Sequence, residues 1–173
     1  MSLTEELLAR LDAAFPPTSP PEVLSTSFGP EVDALRADFR GKRDWRALSA
    51  DFLERAGQGE ALAFLSDEAF CFFLPAWVRA DLRGELRRTS PVSRLTAFVT
   101  PQSEGQRLAA VWGGGTMGER ARQCFARFDR AQVELIVAYL EWKLAAEPDD
   151  LTLAQALEHS WRPRCALVKP GAS

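Results

Sequence analysis

The sequence predicts an all-α protein: a single-domain, irregular bundle of six to eight helices with a proline-kinked helix near residue 75. Apolar residues recur every three or four positions through most of the chain, which is the period of a helix with one buried face. Residues that commonly cap helices precede several of these stretches. The chain has 173 residues, 46% of them apolar and 26% charged, which is typical of one globular domain with one core.

Three short helices are predicted in the first third of the chain. The first begins at Ser2, where Ser-Leu-Thr-Glu matches a capping box, and ends at the proline-rich run PPTSPP. The second begins at Pro30, a favourable first residue of a helix, and ends near Gly41. The third is expected to be capped by Asp44. Its inward-facing residues are expected to be Trp45, Leu48, Phe52 and Leu53.

A longer helix is predicted for SDEAFCFFLPAWVRADL, residues 66–82, although a proline lies in its middle. Ser66 is placed to cap it, and Asp67 and Glu68 favour the positive end of the helix dipole. Pro75 cannot donate a hydrogen bond to the Cys71 carbonyl, which costs about 3 kcal/mol in an unrelieved helix. Large apolar residues keep the same helical stripe on both sides of the proline, and their burial offsets this cost. We therefore expect a kink or a break at Pro75. The stripe consists of Phe70, Phe73, Leu74, Trp77, Val78 and Leu82.

The pattern is weaker between residues 83 and 117. Ser90 and Pro91 can begin a short helix, although LTAFVT also has the β-branched and aromatic character of a strand. The run WGGGTMG, residues 112–118, is typical of a flexible loop, and helix is expected again from Arg120.

Two helices are predicted in the last third. Asp129 can cap a helix that reaches Ala146 and is apolar on most sides, as a central helix is. Asp149 or Asp150 can begin the last helix, which carries Trp161 on its apolar face. Residues 162–173 are expected to form a loosely ordered tail.

Several of these segments resemble a bacterial family of small uncharacterised proteins. The segments are DWRALSADFL, FLSDEAFCFFLPAW, FDRAQVELIVAYLEW and ALEHSW, and the phrase FLS-x-EAF-x-x-(Y/F)LPA is the most recognisable of the family's features. The matching positions are core or cap residues, so the resemblance implies a shared helical fold and supplies no catalytic residues. By analogy, small families of this kind often contain immunity or accessory proteins encoded beside toxins.

Composition argues against several classes of site. The chain has three scattered cysteines and a single histidine, which argues against a disulfide framework and against a zinc site. No metal or cofactor is expected. Glu158, His159 and Ser160 are neighbours in sequence and therefore point apart on a helix, so they cannot form a catalytic relay. The glycine run lacks the lysine of a phosphate-binding loop. The acidic N-terminus is unlike a signal peptide, and a cytoplasmic location without membrane contact is expected.

The charges are unevenly distributed along the chain, whose net charge is −3. Residues 1–70 hold 7 basic and 13 acidic residues, a net −6, whereas residues 71–130 hold 10 and 5, a net +5. Arginine outnumbers lysine by 18 to 3, as is common in GC-rich bacteria. A cationic segment in an acidic chain can steer a negatively charged partner.

The arginines and aromatic residues of the cationic segment are the candidate partner-binding residues, because both types are enriched at interfaces. The leading hypothesis is a non-enzymatic protein-interaction module, in the manner of an immunity or accessory protein, whose partner has an acidic surface. An anion-binding or nucleic-acid-binding protein using residues 83–130 is the alternative, and a small enzyme is the third. The candidates are Arg83, Arg87, Arg88, Trp112, Arg120, Arg122 and Arg127.

Overall fold

A computed structural model describes residues 2–110 and 113–167 of the chain. Across these residues the regular secondary structure is helical, apart from one isolated antiparallel bridge between Arg107 and Thr116. The predicted all-α class is therefore confirmed. In the same residues, no helix combines the length and apolarity that a membrane span needs.

The chain divides into two compact units, Met1–Arg94 and Leu95–Ser173. Buried apolar side chains occur in both units. The expectation of a single domain stays a prediction.

The helices of the first unit are α1 (Leu3–Ala14), α2 (Pro30–Asp38), α3 (Ala50–Arg55), α4 (Ala61–Phe64) and α5 (Asp67–Leu82). Helix α6 (Pro91–Thr96) follows and continues past residue 94.

The predicted starts of α1 and α2 are confirmed, but the start of the third helix is wrong. Ser2 and Glu5 form the expected capping box, and Pro30 is the first residue of α2. Asp44 caps only a 3₁₀ turn, Trp45–Ala47, and α3 begins later behind the Ser49 cap. The Asp44 carboxylate accepts from the Arg46 amide at 2.9 Å. A local cap is compatible with either kind of turn, so the sequence signal could not distinguish them.

Helix α5 has the predicted bounds and the predicted buried stripe. Ser66 caps it by accepting from the Ala69 amide at 3.1 Å, and all six stripe residues are buried. The helix is continuous through Pro75, so the alternative of a break is wrong. Phe73 packs edge-on against Phe39, with ring centroids 4.8 Å apart. The apolar contacts on both sides of the proline therefore hold one helix across the missing hydrogen bond.

Helix α5 is also tied to α1 by charge. Arg79 of α5 donates to the Asp12 carboxylate of α1 at 2.5 Å. The Arg79 guanidinium lies 4.4 Å from the centre of the buried Trp45 ring. Asp12 and Trp45 therefore fix the position of Arg79 by an ion pair and a cation–π contact.

Of the stretch that could have been strand or helix, residues 91–96 form α6 and residues 97–100 are turn and irregular chain, so no part of it is a strand. In the second unit, Asp129 caps the long helix as predicted and forms a capping box with Gln132. Trp161 is fully buried and donates its indole N–H to the Leu95 carbonyl at 2.8 Å. The helices of this unit are α7 (Met117–Phe125), α8 (Arg130–Ala146), α9 (Leu151–Ala156) and α10 (Arg162–Leu167), and a π-helical turn (Leu157–Trp161) joins the last two.

Two other segments of the second unit differ from the expectation. The predicted loop ends at Thr116, because Thr116 and Glu119 form a capping box and helix α7 already includes Met117 and Gly118. Of the expected tail, residues 162–167 form α10 instead, and residues 168–173 lie outside the described residues. Pro163 is the second residue of α10 and directly follows the π-helical turn and Arg162.

Candidate functional site

Three of the predicted arginines lie in the first unit after α5, and they differ in what they contact. Arg83 and Arg87 are exposed, and their side chains have no polar partner among the described residues. Arg88 is partly committed to the first unit itself. Its guanidinium donates to the Glu54 carbonyl at 3.2 Å and lies 3.6 Å from the Glu54 carboxylate.

Glu54 explains the conformation of residues 87–89. Its buried carboxylate accepts from the backbone amides of Arg87, Arg88 and Thr89 and from the Thr89 hydroxyl at 2.8 Å. Burial raises the pKa of Glu54, but the hydrogen bonds from Thr89, Arg87 and Arg88 outweigh it and lower the pKa to about 2. This carboxylate therefore holds the 87–89 segment in place, which is a structural role.

The other predicted residues lie in the second unit. Arg120 and Arg127 are exposed, and neither side chain has a polar partner within residues 2–110 and 113–167. Arg122 lies on α7 and donates to the Glu104 carboxylate at 2.8 Å. Trp112 lies outside the described residues.

Arg122 lies at a cleft of about 400 Å³ within the second unit. The Glu104 carboxylate lies between two basic groups there, 2.8 Å from Arg122 and 3.1 Å from Nε2 of His159. The hydrogen bond from His159, followed by that from Arg122, lowers the pKa of Glu104. The cleft is lined by Val99, Glu104, Arg122, His159, Ser160, Pro163, Arg164 and Leu167.

Arg164, which the sequence analysis did not single out, is the most informative residue of the cleft. It is half-buried, and it donates to the backbone carbonyl of Arg122 at 3.3 Å. No carboxylate forms an ion pair with it in the described part of the chain. Burial, and then the nearby Arg122, lower the pKa of the Arg164 guanidinium. A partly desolvated cation beside a second cation is costly unless an anion pairs with it.

A close backbone contact sets the position of Glu104. The Gly118 amide of α7 donates to the Glu104 carbonyl at 3.0 Å. A Cβ atom at position 118 would lie 2.6 Å from the Glu104 Cβ and 2.7 Å from its carbonyl oxygen. Only glycine permits this approach, which brings the Glu104 segment to the start of α7 and its carboxylate to Arg122.

One polar pair in the cleft resembles a catalytic pair. His159 and Glu104 have the geometry of a base and its orienting carboxylate, but no hydroxyl or thiol is hydrogen-bonded to His159 in the residues described. No group of three acidic, histidine or cysteine residues that could hold a metal ion occurs in the described ranges.

A protein-family model matches residues 25–165, and its description is "Family of unknown function (DUF6714)". The chain belongs to this family. No curated protein and no solved structure matches the chain. The matched region includes both Glu104 and Arg164, so the whole polar part of the cleft lies inside the family region.

Proposed function

We propose that this DUF6714 protein is a non-enzymatic binding protein that recognises an acidic partner protein through the second unit. The observation that carries the proposal is Arg164, a half-buried cation that lines the cleft without a carboxylate partner in the part of the chain that the structure describes. A carboxylate of the partner would supply the missing charge and can accept two hydrogen bonds from the guanidinium.

The surroundings of Arg164 favour a carboxylate that belongs to a protein segment. The cleft combines charged residues with the apolar residues Val99, Pro163 and Leu167. An acidic side chain would pair with Arg164, and the apolar part of the same segment would cover these residues. The exposed Arg120 and Arg127 belong to the same unit and add positive charge that favours an acidic surface.

The proposal is tested with a fluorescently labelled polyglutamate peptide and purified full-length protein, by fluorescence anisotropy. We expect binding that weakens with salt, and a loss of about fivefold or more in affinity for Arg164→Gln, because a charge-assisted contact is removed. The matched control is Arg162→Gln. Arg162 lies on the same helix, but its guanidinium is paired with Glu141 and Glu158. Its replacement should leave the affinity nearly unchanged.

Three outcomes would contradict the proposal. The first is the absence of polyglutamate binding, and the second is equal binding by wild type and Arg164→Gln. The third is tighter binding of a labelled DNA duplex than of polyglutamate, which would favour a nucleic-acid-binding protein.

A further inference from the structure

A second cavity lies within the first unit and has a different chemical character. Its volume is about 270 Å³. Phe39 and Phe73 form an aromatic part of its lining, and Leu24, Pro20 and Pro21 add aliphatic surface. Pockets for small ligands have a similar apolar lining, and this volume is near the lower end of their range, so a ligand of one or two rings fits best.

The charged residues that line this pocket are all basic. No aspartate or glutamate lines it. The four basic residues that line it are Arg36, Arg40, Lys42 and Arg43. Arg40 and Arg43 have no ion-pair partner in the ranges 2–110 and 113–167. Arg36 is paired with Asp33, whereas the like charges of Arg40, Lys42 and Arg43 beside an apolar cavity repel one another, and an anion relieves that repulsion.

The wall of the pocket is held by hydrogen bonds, so the cavity exists before a ligand binds. The Leu24 carbonyl accepts from the Ser66 amide at 2.8 Å, which ties the 23–24 segment to the start of α5. Arg36 donates to the carbonyls of Ser25 and Ser27 at 3.3 and 3.2 Å and pairs with Asp33 at 3.4 Å. A preformed wall lowers the entropic cost of binding.

The chain turns sharply at Gly41, which also lines the pocket. Gly41 has a φ of 77°, a left-handed conformation that glycine adopts without strain, and it connects Arg40 to Lys42 and Arg43. This turn places the three cations of the RGKR sequence on the lining of one small cavity. The ammonium group of Lys42 also lies 4.9 Å from the centre of the Phe52 ring.

We infer that this pocket binds a small ligand that joins an aromatic body to an anionic group. The aromatic body would lie against Pro20, Pro21 and Leu24, which are partly exposed, and against the accessible part of Phe39, where burial of apolar surface supplies affinity. The anionic group would face Arg40 and Arg43, whose guanidinium groups match both carboxylate and phosphate. The inference does not depend on the proposed function, because all of the lining belongs to the first unit.

The test compares 2-naphthoate, 2-naphthyl phosphate and neutral 2-naphthol by isothermal titration calorimetry with the full chain. We expect at least one of the two anions to bind more tightly than 2-naphthol by about tenfold or more, and to bind more weakly as salt rises. The anion that binds more tightly identifies the preferred group. In amide chemical-shift mapping, the largest changes should lie at residues 39–43.

Variants separate the contribution of the charged lining residues from that of the apolar lining residues. Arg40→Gln combined with Arg43→Gln should weaken binding of the tighter anion by about tenfold or more and leave 2-naphthol binding unchanged. The control Arg83→Gln removes another exposed arginine of the first unit, one that does not line the pocket, and should have little effect. Arg164→Gln should also have little effect, which separates this inference from the proposed function.

Three results would overturn the inference. The first is equal affinity for the anions and for 2-naphthol. The second is unchanged anion binding by the Arg40→Gln, Arg43→Gln protein when circular dichroism shows that this protein is folded. The third is a set of chemical-shift changes that does not include residues 39–43.

Discussion

At the scale of single residues, Glu54 shows how one buried carboxylate can stabilise a segment of the chain. Its carboxylate is buried and accepts from three consecutive amides and one hydroxyl. Because its pKa in the folded protein is about 2, below the ordinary 4.5, ionisation stabilises the folded state. That contribution is fully present above pH 4.5 and is lost as the pH falls from 4.5 to about 2. The shift corresponds to a free energy on the order of 3 kcal/mol.

Replacing Glu54 by glutamine should therefore destabilise the protein in a pH-dependent way. Glutamine keeps one acceptor oxygen but sets an NH₂ group against backbone amides. We expect the free energy of unfolding to fall by about 1 to 3 kcal/mol at neutral pH. The difference from wild type should narrow between pH 4.5 and about 2, as the wild-type carboxylate protonates.

Urea denaturation across this pH range measures the effect. Glu60→Gln is the matched control, because Glu60 is an exposed glutamate of the same unit, and it should change stability by no more than about 0.5 kcal/mol. A constant difference between Glu54→Gln and wild type at every pH would show that the carboxylate charge is not what stabilises the 87–89 segment.

Single residues also show where sequence reasoning stops. Ser2, Ser66 and Asp129 bond to amides three residues away, so their capping roles could be predicted from local spacing. Glu104 and His159 are distant in sequence and meet only through the tertiary fold. The sequence predicts that Gly118 belongs to a glycine-rich loop, because no local sequence pattern reveals that the Glu104 backbone lies against it.

At the scale of secondary structure, helix α5 shows how packing can outweigh propensity. A proline interrupts its hydrogen bonds, yet its apolar residues keep one helical period and are buried on both sides of residue 75. That period is local, so the sequence predicted the helix and its bounds. Continuity through Pro75, as opposed to a break, depends on tertiary contacts such as the packing of Phe73 on Phe39.

Truncating Phe73 should destabilise the protein strongly. Its side chain is 1% exposed and contacts the rings of Phe39 and Phe72, so Phe73→Ala removes aromatic contacts and enlarges a cavity. We expect a loss of about 3 to 5 kcal/mol in the free energy of unfolding. The control is Phe28→Ala, since Phe28 is 84% exposed in the same unit.

Chemical denaturation of the two alanine variants beside wild type gives the comparison. The Phe28→Ala protein should resemble wild type. Similar stability of the Phe73→Ala protein and wild type would mean that the α5 stripe does not contribute to the core, and would contradict the packing explanation for Pro75.

At the scale of the whole molecule, the net charge of a long segment does not predict the charge at each candidate site within it. The segment that the sequence identified as cationic contains Arg88 and Arg122, which pair with Glu54 and Glu104. The segment identified as acidic contains the RGKR cations that line the first-unit pocket. Net charge over a long segment could not reveal this, because ion pairing and the chain turn at Gly41 are decided in three dimensions.

The remaining candidate arginines allow a direct test of long-range steering. Arg83 and Arg87 lie in the first unit, Arg120 and Arg127 in the second, and all four are exposed. Arg83→Gln with Arg87→Gln changes the net charge by the same amount as Arg120→Gln with Arg127→Gln. If the second unit holds the acidic partner, charge near that site should accelerate association more than equal charge elsewhere.

Stopped-flow association of labelled polyglutamate at low and high salt measures this difference. At low salt, the Arg120→Gln, Arg127→Gln protein should associate about threefold or more slowly than the Arg83→Gln, Arg87→Gln protein, because steering depends on where charge lies. High salt should remove most of the difference, since exposed charges more than about 10 Å from the ligand are screened. Equal slowing by the two pairs would show that only net charge matters. Greater slowing by the first-unit pair would place the acidic contact on the first unit instead.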